Sequence, residues 1–86
     1  MDINKIAEEL FSEYNLDGWT LRIATGGNMC WHSRKRIDIL ENCSQDIAMF
    51  LHELAHALTP NAQLPNFHDW EWADCFTRLV SKHTKS

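Results

Sequence analysis

The sequence predicts an α+β fold in which one helix precedes a three-stranded sheet and two further helices follow it. Apolar residues recur at helical spacing in three segments, and between the first two of these segments they alternate with polar residues, as in half-buried strands. The chain has 86 residues, of which 44% are hydrophobic and 23% are charged. This composition is typical of a folded protein, and the length predicts a single domain over residues 1–86.

The first predicted helix begins after Asp2, whose carboxylate can cap the free N–H groups of the first turn. Its apolar positions are Ile3, Ile6, Ala7, Leu10, Phe11 and Tyr14. Residues 15–18, Asn-Leu-Asp-Gly, predict a break after it. Alternation then predicts strands at 19–23, 29–32 and 36–40, and a turn at 25–28 contains Gly and Asn, which tolerate positive φ.

A second helix is predicted after Ser44, the expected N-cap, with Asp46 in its first turn. It should end near Leu58, because the residue before Pro60 is disfavoured in helical conformation. Its apolar stripe consists of Ile47, Leu51, Leu54 and Leu58. A third helix is predicted at about residues 69–82, and its apolar residues, expected to be buried, are Trp72, Cys75, Phe76 and Leu79.

Charge and cysteine usage restrict the class of protein. The formal net charge is −4, which argues against nucleic-acid binding through bulk electrostatics. The single basic run, residues 34–36, is interpreted as a solvated strand end. Three widely spaced cysteines without a C-x-x-C pair, together with the lack of a long apolar run, predict a cytoplasmic protein that does not enter a membrane.

The chemically informative motif is His52-Glu53-Leu54-Ala55-His56. Two histidines four residues apart lie about one helical turn apart, so both imidazoles can reach one metal ion, and zinc is the expected ion. Glu53 is next to the first ligand, where it can take a proton from a zinc-activated water. Both histidines lie off the leucine stripe and are expected to point away from the core.

A catalytic zinc site needs a third protein ligand. In the close-spaced H-E-x-x-H-x-x-G-x-x-H arrangement it would be residue 62, but that residue is alanine. His68 is the next histidine downstream and is the predicted third ligand. Glu71 is the main alternative, followed by Asp74, because a carboxylate can replace imidazole at zinc.

Three segments of the chain resemble the SprT-like, or Spartan-like, metallopeptidase family in its small phage and bacterial forms. Residues 52–58, HELAHAL, resemble the family's active-site helix, and residues 68–72, HDWEW, resemble its downstream histidine block. Residues 27–31 followed by 37–40 resemble its strand pair. Together these segments lie between about residues 19 and 76.

The resemblance implies a minimal zincin-like core that binds zinc through His52, His56 and His68, with Glu53 as the catalytic base of a peptidase. Asp69 and Trp70 replace the usual Gly and Pro of the downstream block. The cysteine zinc ribbon and the basic DNA-binding segments of longer members are absent from this sequence. The role of eukaryotic relatives on proteins crosslinked to DNA is therefore not carried over.

Three functions follow as hypotheses. The first is hydrolysis of a peptide or protein substrate, which could pair as an extended chain with the predicted strand at 36–40 as the sheet edge. The second is a metal-binding regulatory or partner-binding module without turnover, or an IrrE/ImmA-like regulator protease. The third is an interaction protein without metal.

Three other polar residues are expected to have no catalytic role. His32 is expected to be half-exposed, His83 to have no role, and Tyr14 to pack in the core rather than to stabilise an oxyanion.

Overall fold

A computed structural model describes residues 2–43, 46–60 and 70–84 of the chain. Within these residues the elements are α1 (Ile3–Glu13), β1 (Thr20–Ala24), β2 (Met29–Trp31), β3 (Arg36–Leu40), α2 (Ile47–Leu58) and α3 (Trp70–His83). Short 3₁₀ turns at His32–Arg34 and Glu41–Cys43 flank β3. The predicted α+β class and order of elements are confirmed.

Helix α1 begins where its capping residue predicts. The Asp2 carboxylate accepts hydrogen bonds from the backbone N–H groups of Asn4 and Lys5, at 3.1 and 3.3 Å. After the helix, Asn15 adopts a left-handed conformation with φ of 59°. Asparagine tolerates this conformation better than most residues do, so the predicted break is confirmed and the chain turns toward the sheet.

The three strands form a mixed sheet in the order β1-β3-β2. Strand β1 is parallel to β3, whereas β2 is antiparallel to it. The strand at 36–40 is therefore central, and the expectation that it offers a free edge for a substrate is wrong. Strand β2 is an edge of the described sheet. Asn28, in the turn before β2, accepts a hydrogen bond from the Leu40 N–H at 2.8 Å and ties that turn to the end of β3.

One face of the sheet carries the core. Ile37 and Ile39 of β3 are fully buried beneath the helices, as expected for alternate residues that share one face of a strand. Phe11 of α1 and Phe50 of α2 meet edge to face above this sheet surface, with ring centroids 5.9 Å apart. Other buried core residues are Ile3, Ala7, Leu10, Leu51, Leu54, Ala55, Ala57, Trp72 and Leu79.

Helix α2 starts two residues later than predicted. Its N-cap is Asp46, whose carboxylate accepts a hydrogen bond from the Met49 N–H at 3.3 Å. The predicted cap, Ser44, lies outside the described residues. The end at Leu58 is confirmed.

Helix α3 packs against α2 and continues one residue beyond the predicted range, to His83. Among the described residues, none of the helices is long and apolar enough to cross a membrane.

Candidate metal and catalytic site

The H-E-x-x-H motif lies in the middle of α2, between the sheet and α3. His56 and Glu53 are buried, with only 9% and 6% of their surface exposed, and His52 is half-buried. As predicted, both histidines lie off the leucine stripe of α2. The expectation that they therefore point away from the core is wrong, because His56 is buried and His52 is half-buried. Helix α3 covers this side of α2, which a pattern confined to one helix does not indicate.

The two histidines have a separation that suits a shared ion. Their ring centroids lie 5.1 Å apart and the ring planes are inclined by 69°. At a Zn–N distance of about 2.0 Å each imidazole centre is about 3.2 Å from the ion, so a tetrahedral angle places two such centres about 5 Å apart. Imidazole nitrogen is also a preferred donor for zinc. The pair therefore fits two ligands of a zinc ion.

Glu53 is close to one of these ligands. Its Oε2 lies 3.8 Å from His52 Nε2. Burial raises the pKa of Glu53 to about 7. A carboxyl group with a pKa in this range can both accept and release a proton near neutral pH, which general acid–base catalysis requires.

Two aromatic residues of α3 enclose the histidines. Trp72 stacks on His56 with centroids 5.2 Å apart and an interplanar angle of 24°. The same indole meets His52 edge to face at 4.8 Å, and its Nε1 donates a hydrogen bond to the His52 carbonyl oxygen at 3.3 Å. Phe76 stacks on Trp72 at 5.1 Å and contacts His52 at 5.7 Å. The sequence identifies Trp72 and Phe76 as apolar residues four apart in α3, but not their contact with the motif.

His32 also contacts the motif, through a hydrogen bond that was not predicted from the sequence. Its Nε2 lies 2.8 Å from the His56 carbonyl oxygen and must donate, because a carbonyl only accepts. In a continuing helix the N–H of residue 60 would bond this carbonyl, but residue 60 is proline and has no N–H. The Thr59 N–H reaches the same oxygen at 3.3 Å. Pro60, four residues after His56, is the sequence signal that the carbonyl needs another donor.

The described residues do not complete the predicted set of ligands. Within residues 2–43, 46–60 and 70–84, no three His, Cys, Asp or Glu side chains are grouped closely enough to hold a metal ion. His68, the predicted third ligand, lies outside these residues. Glu71 and Asp74, the alternative third ligands, line a groove next to Leu58 and Tyr14. Asp74 also forms an ion pair with Arg78, with Nε and Oδ2 3.0 Å apart.

Tyr14 and His83 contact each other at the far end of α3. The Tyr14 hydroxyl and His83 Nε2 are 2.8 Å apart, and the two rings meet edge to face. His83 follows Trp72 by eleven residues, which is about 16 Å of helix. The core-packing interpretation of Tyr14 is confirmed. His83, to which the sequence assigned no role, joins α3 to the end of α1.

Strand β2 lies beside the motif. Helix α2 packs against this strand, and Cys30 is on the face that the helices cover. Burial raises the pKa of the Cys30 thiol to about 12, with a further contribution from the charge of nearby Glu53. Cys30 is thus a neutral thiol at physiological pH. Its proximity to Glu53 places the candidate base next to an edge strand.

Compared with known proteins, the chain matches no family model, no curated protein and no solved structure.

Proposed function

We propose that this chain is a zinc-dependent peptidase with a zincin-like fold of the SprT-like kind, in which Glu53 is the general base. The observation that carries the proposal is the placement of Glu53. Its buried carboxylate lies 3.8 Å from His52 Nε2, on the same helix as the His52–His56 pair and beside an edge strand.

His52 and His56 would hold the zinc ion, with His68 as the proposed third ligand and Glu71 as its alternative. When bound, zinc supplies the Lewis acidity that activates a water molecule and polarises a carbonyl group. Glu53 takes the proton from the attacking water, and the carboxylic acid formed then donates it to the leaving amine. Trp72 packs against both imidazoles and limits the access of solvent to them.

The substrate proposed for this site is an extended polypeptide. The outer edge of β2 carries main-chain N–H and C=O groups that can pair with an added strand. Because β2 packs against α2, a strand bound there would run close to Glu53. Strand β2 thus takes the place of the strand at 36–40, which the sequence predicts as the edge for the substrate.

The proposal is tested by zinc content together with cleavage of an unstructured protein. Wild type is expected to bind about one zinc ion per chain and to cleave. Glu53→Gln should retain the zinc and lose the cleavage, His52→Ala should lose both, and Glu9→Gln, an exposed glutamate of α1, should behave like wild type. If Glu53→Gln cleaves as fast as wild type, Glu53 is not the base.

The second candidate function, a metal-binding module without turnover, is favoured by one observation. The Tyr14 hydroxyl, considered as an oxyanion donor, is bound to His83 at the other end of α3. This candidate predicts that zinc raises the melting temperature of the protein while the zinc-loaded wild type cleaves no peptide in a mixed-sequence library.

A further inference from the structure

The sheet face opposite the helices is here called the outer face, and it is exposed to solvent along the two edge strands β1 and β2. The residues whose side chains share this face include Thr20 and Arg22 of β1, Met29 and Trp31 of β2, and Arg36 and Asp38 of β3. Met29 and Trp31, both on the edge strand, are 49% and 38% exposed. Tryptophan, methionine and arginine are the residue types enriched in protein interfaces.

Trp31 is held in one orientation on this face. Its Nε1 donates a hydrogen bond to Asp38 Oδ2 at 2.8 Å, and the Arg34 guanidinium lies over its ring, 5.7 Å from the centroid. Asp38 is itself fixed by Arg22 at 2.9 Å and Arg36 at 2.8 Å. An aromatic ring that is already ordered loses little conformational entropy when a ligand packs on it.

The charge of the outer face is opposite to that of the whole chain. Arg22, Arg34 and Arg36 surround Trp31 and Asp38, and Asp38 neutralises one of these three positive charges. The chain as a whole has a formal net charge of −4. The outer face is therefore a local region of positive charge in an acidic molecule, and it favours a ligand with negative charge.

A strand added to β2 would present its side chains to this surface in a defined way. Residues directly opposite each other on neighbouring strands have side chains on the same face, with Cβ atoms about 4.5 to 5.5 Å apart. A ligand residue opposite Trp31 would thus lie on the outer face, next to the indole and the Arg34 guanidinium. The ligand residues before and after it would face α2.

We propose that Trp31 and Arg34 form a subsite for an acidic side chain of an extended polypeptide that pairs with β2. The inference rests on the proposed function, because it describes which substrate the same site selects. The aliphatic part of a glutamate can pack on Trp31 while its carboxylate pairs with Arg34. A substrate with an acidic residue at the position opposite Trp31 is therefore favoured.

Two other occupants fit the outer face less well. A second copy of this chain that packed its outer face against the first would oppose three arginines to three arginines, and such like-charge contacts are unfavourable. Single-stranded nucleic acid could stack a base on Trp31, but it has no peptide groups to pair with the β2 edge.

The test measures peptide binding by the zinc-loaded Glu53→Gln protein, so that turnover does not interfere. Three fluorescein-labelled ten-residue peptides differ only in their alternate positions, which are Glu, Gln or Lys. Fluorescence anisotropy should give a Kd for the Glu peptide at least about fivefold below that for the Gln peptide, and the Lys peptide should bind most weakly. Adding Arg34→Glu should reverse this order. Adding Lys5→Glu, which makes the same change of charge but on α1, should leave the order of affinities unchanged.

Equal affinity for the three peptides, or an order that Arg34→Glu leaves unchanged, would overturn the subsite. So would tighter binding of a ten-residue oligothymidylate than of the Glu peptide.

The proposed function is judged separately, by incubating zinc-loaded wild type with the same peptides. If wild type cleaves none of them while Glu53→Gln still prefers Glu, the peptidase proposal fails and the subsite stands. If wild type cleaves all three at equal rates, the subsite fails and the peptidase proposal stands.

Discussion

His32 donates a hydrogen bond from Nε2 to the carbonyl oxygen of His56, at a distance of 2.8 Å. This bond joins the 3₁₀ turn after β2 to the last turn of α2, at a carbonyl that Pro60 cannot bond. The carbonyl of His52 receives a similar bond from the Trp72 indole of α3. Each histidine of the motif is therefore held through its main chain by a ring N–H from another element.

We expect His32→Phe to weaken zinc binding. The change removes the donor to the His56 carbonyl but keeps a ring against Trp19, which His32 contacts edge to face. The unfolding free energy should fall by about 0.5 to 1.5 kcal/mol, because the Thr59 N–H still bonds this carbonyl. Zinc affinity should fall by about 10-fold, the lower end of the effect of losing a residue that orients a metal ligand. Chemical denaturation and competition with a chromophoric chelator measure the two effects.

His83→Phe is the matched control, because His83 also bonds through Nε2 but to Tyr14, away from the motif. It should lower stability by a similar amount and leave zinc affinity unchanged. An equal loss of zinc affinity in both variants would show that His32 acts only through general stability.

Trp72→Ala should be among the more damaging single substitutions in α3. The indole packs on His52, His56 and Phe76, so its removal should cost about 3 to 5 kcal/mol of unfolding free energy. Trp72→Phe keeps an aromatic ring and should cost about 1 to 2 kcal/mol, because the volume change and the lost N–H are both small. Urea unfolding followed by circular dichroism measures both variants. Trp70→Ala, at a position that is 80% exposed, should change stability by less than about 0.5 kcal/mol.

Glu53→Gln should stabilise the metal-free protein increasingly as pH rises. Burial raises the pKa of Glu53 in the folded state to about 7, so the folded state binds this proton more tightly than the unfolded state. Wild type consequently loses stability as pH rises from the unfolded pKa through the folded one, and glutamine does not. The difference in unfolding free energy should grow by about 2 kcal/mol between pH 5 and pH 8. Denaturation in a chelator at both pH values checks this, and a constant difference would contradict it.

Asp38→Asn should lower stability at neutral pH and reduce its loss in acid. Burial would raise the pKa of Asp38, but the hydrogen bond from Trp31 and the contacts with Arg22 and Arg36 outweigh burial and lower it. The stability contributed by ionised Asp38 is therefore present above its unfolded pKa and is lost as pH falls through the folded one.

At pH 7 the Asp38→Asn change should cost about 2 kcal/mol, because it leaves Arg36 half-buried without its partner. Asp74→Asn is the matched control. Asp74 and its partner Arg78 are exposed, and pairs of this kind contribute at most about 1 kcal/mol. Comparable losses in the two variants would contradict the prediction.

The third zinc ligand is tested by two substitutions. If it is His68, His68→Ala should lower zinc affinity by at least about 100-fold, because a site with two remaining ligands is incomplete. Glu71→Gln should then leave zinc affinity within about threefold of wild type. The reverse pattern would assign the ligand to Glu71. Isothermal titration of the metal-free variants with zinc gives both affinities.

Local sequence patterns predicted most of the secondary structure. The Asp2 cap, the break at 15–18 and the end of α2 at Leu58 all follow from interactions between residues close together in the chain. The start of α2 was misjudged because Ser44 and Asp46 are both good N-caps and only one can initiate the helix. The pairing of β1 with β3 was not predicted, since alternation identifies a strand but not its neighbours.

The sequence by itself determined the His52-Glu53-x-x-His56 arrangement, because helical spacing alone brings residues four apart onto one side of a helix. The tertiary structure decided what surrounds that side. Helix α3 buried it with Trp72, β3 became the central strand and left β2 as an edge, and His32 reached the His56 carbonyl, to which Pro60 cannot donate. The β1–β3 pairing and the contacts of Trp72 and His32 join residues more than fifteen positions apart, and their geometry depends on how whole elements pack.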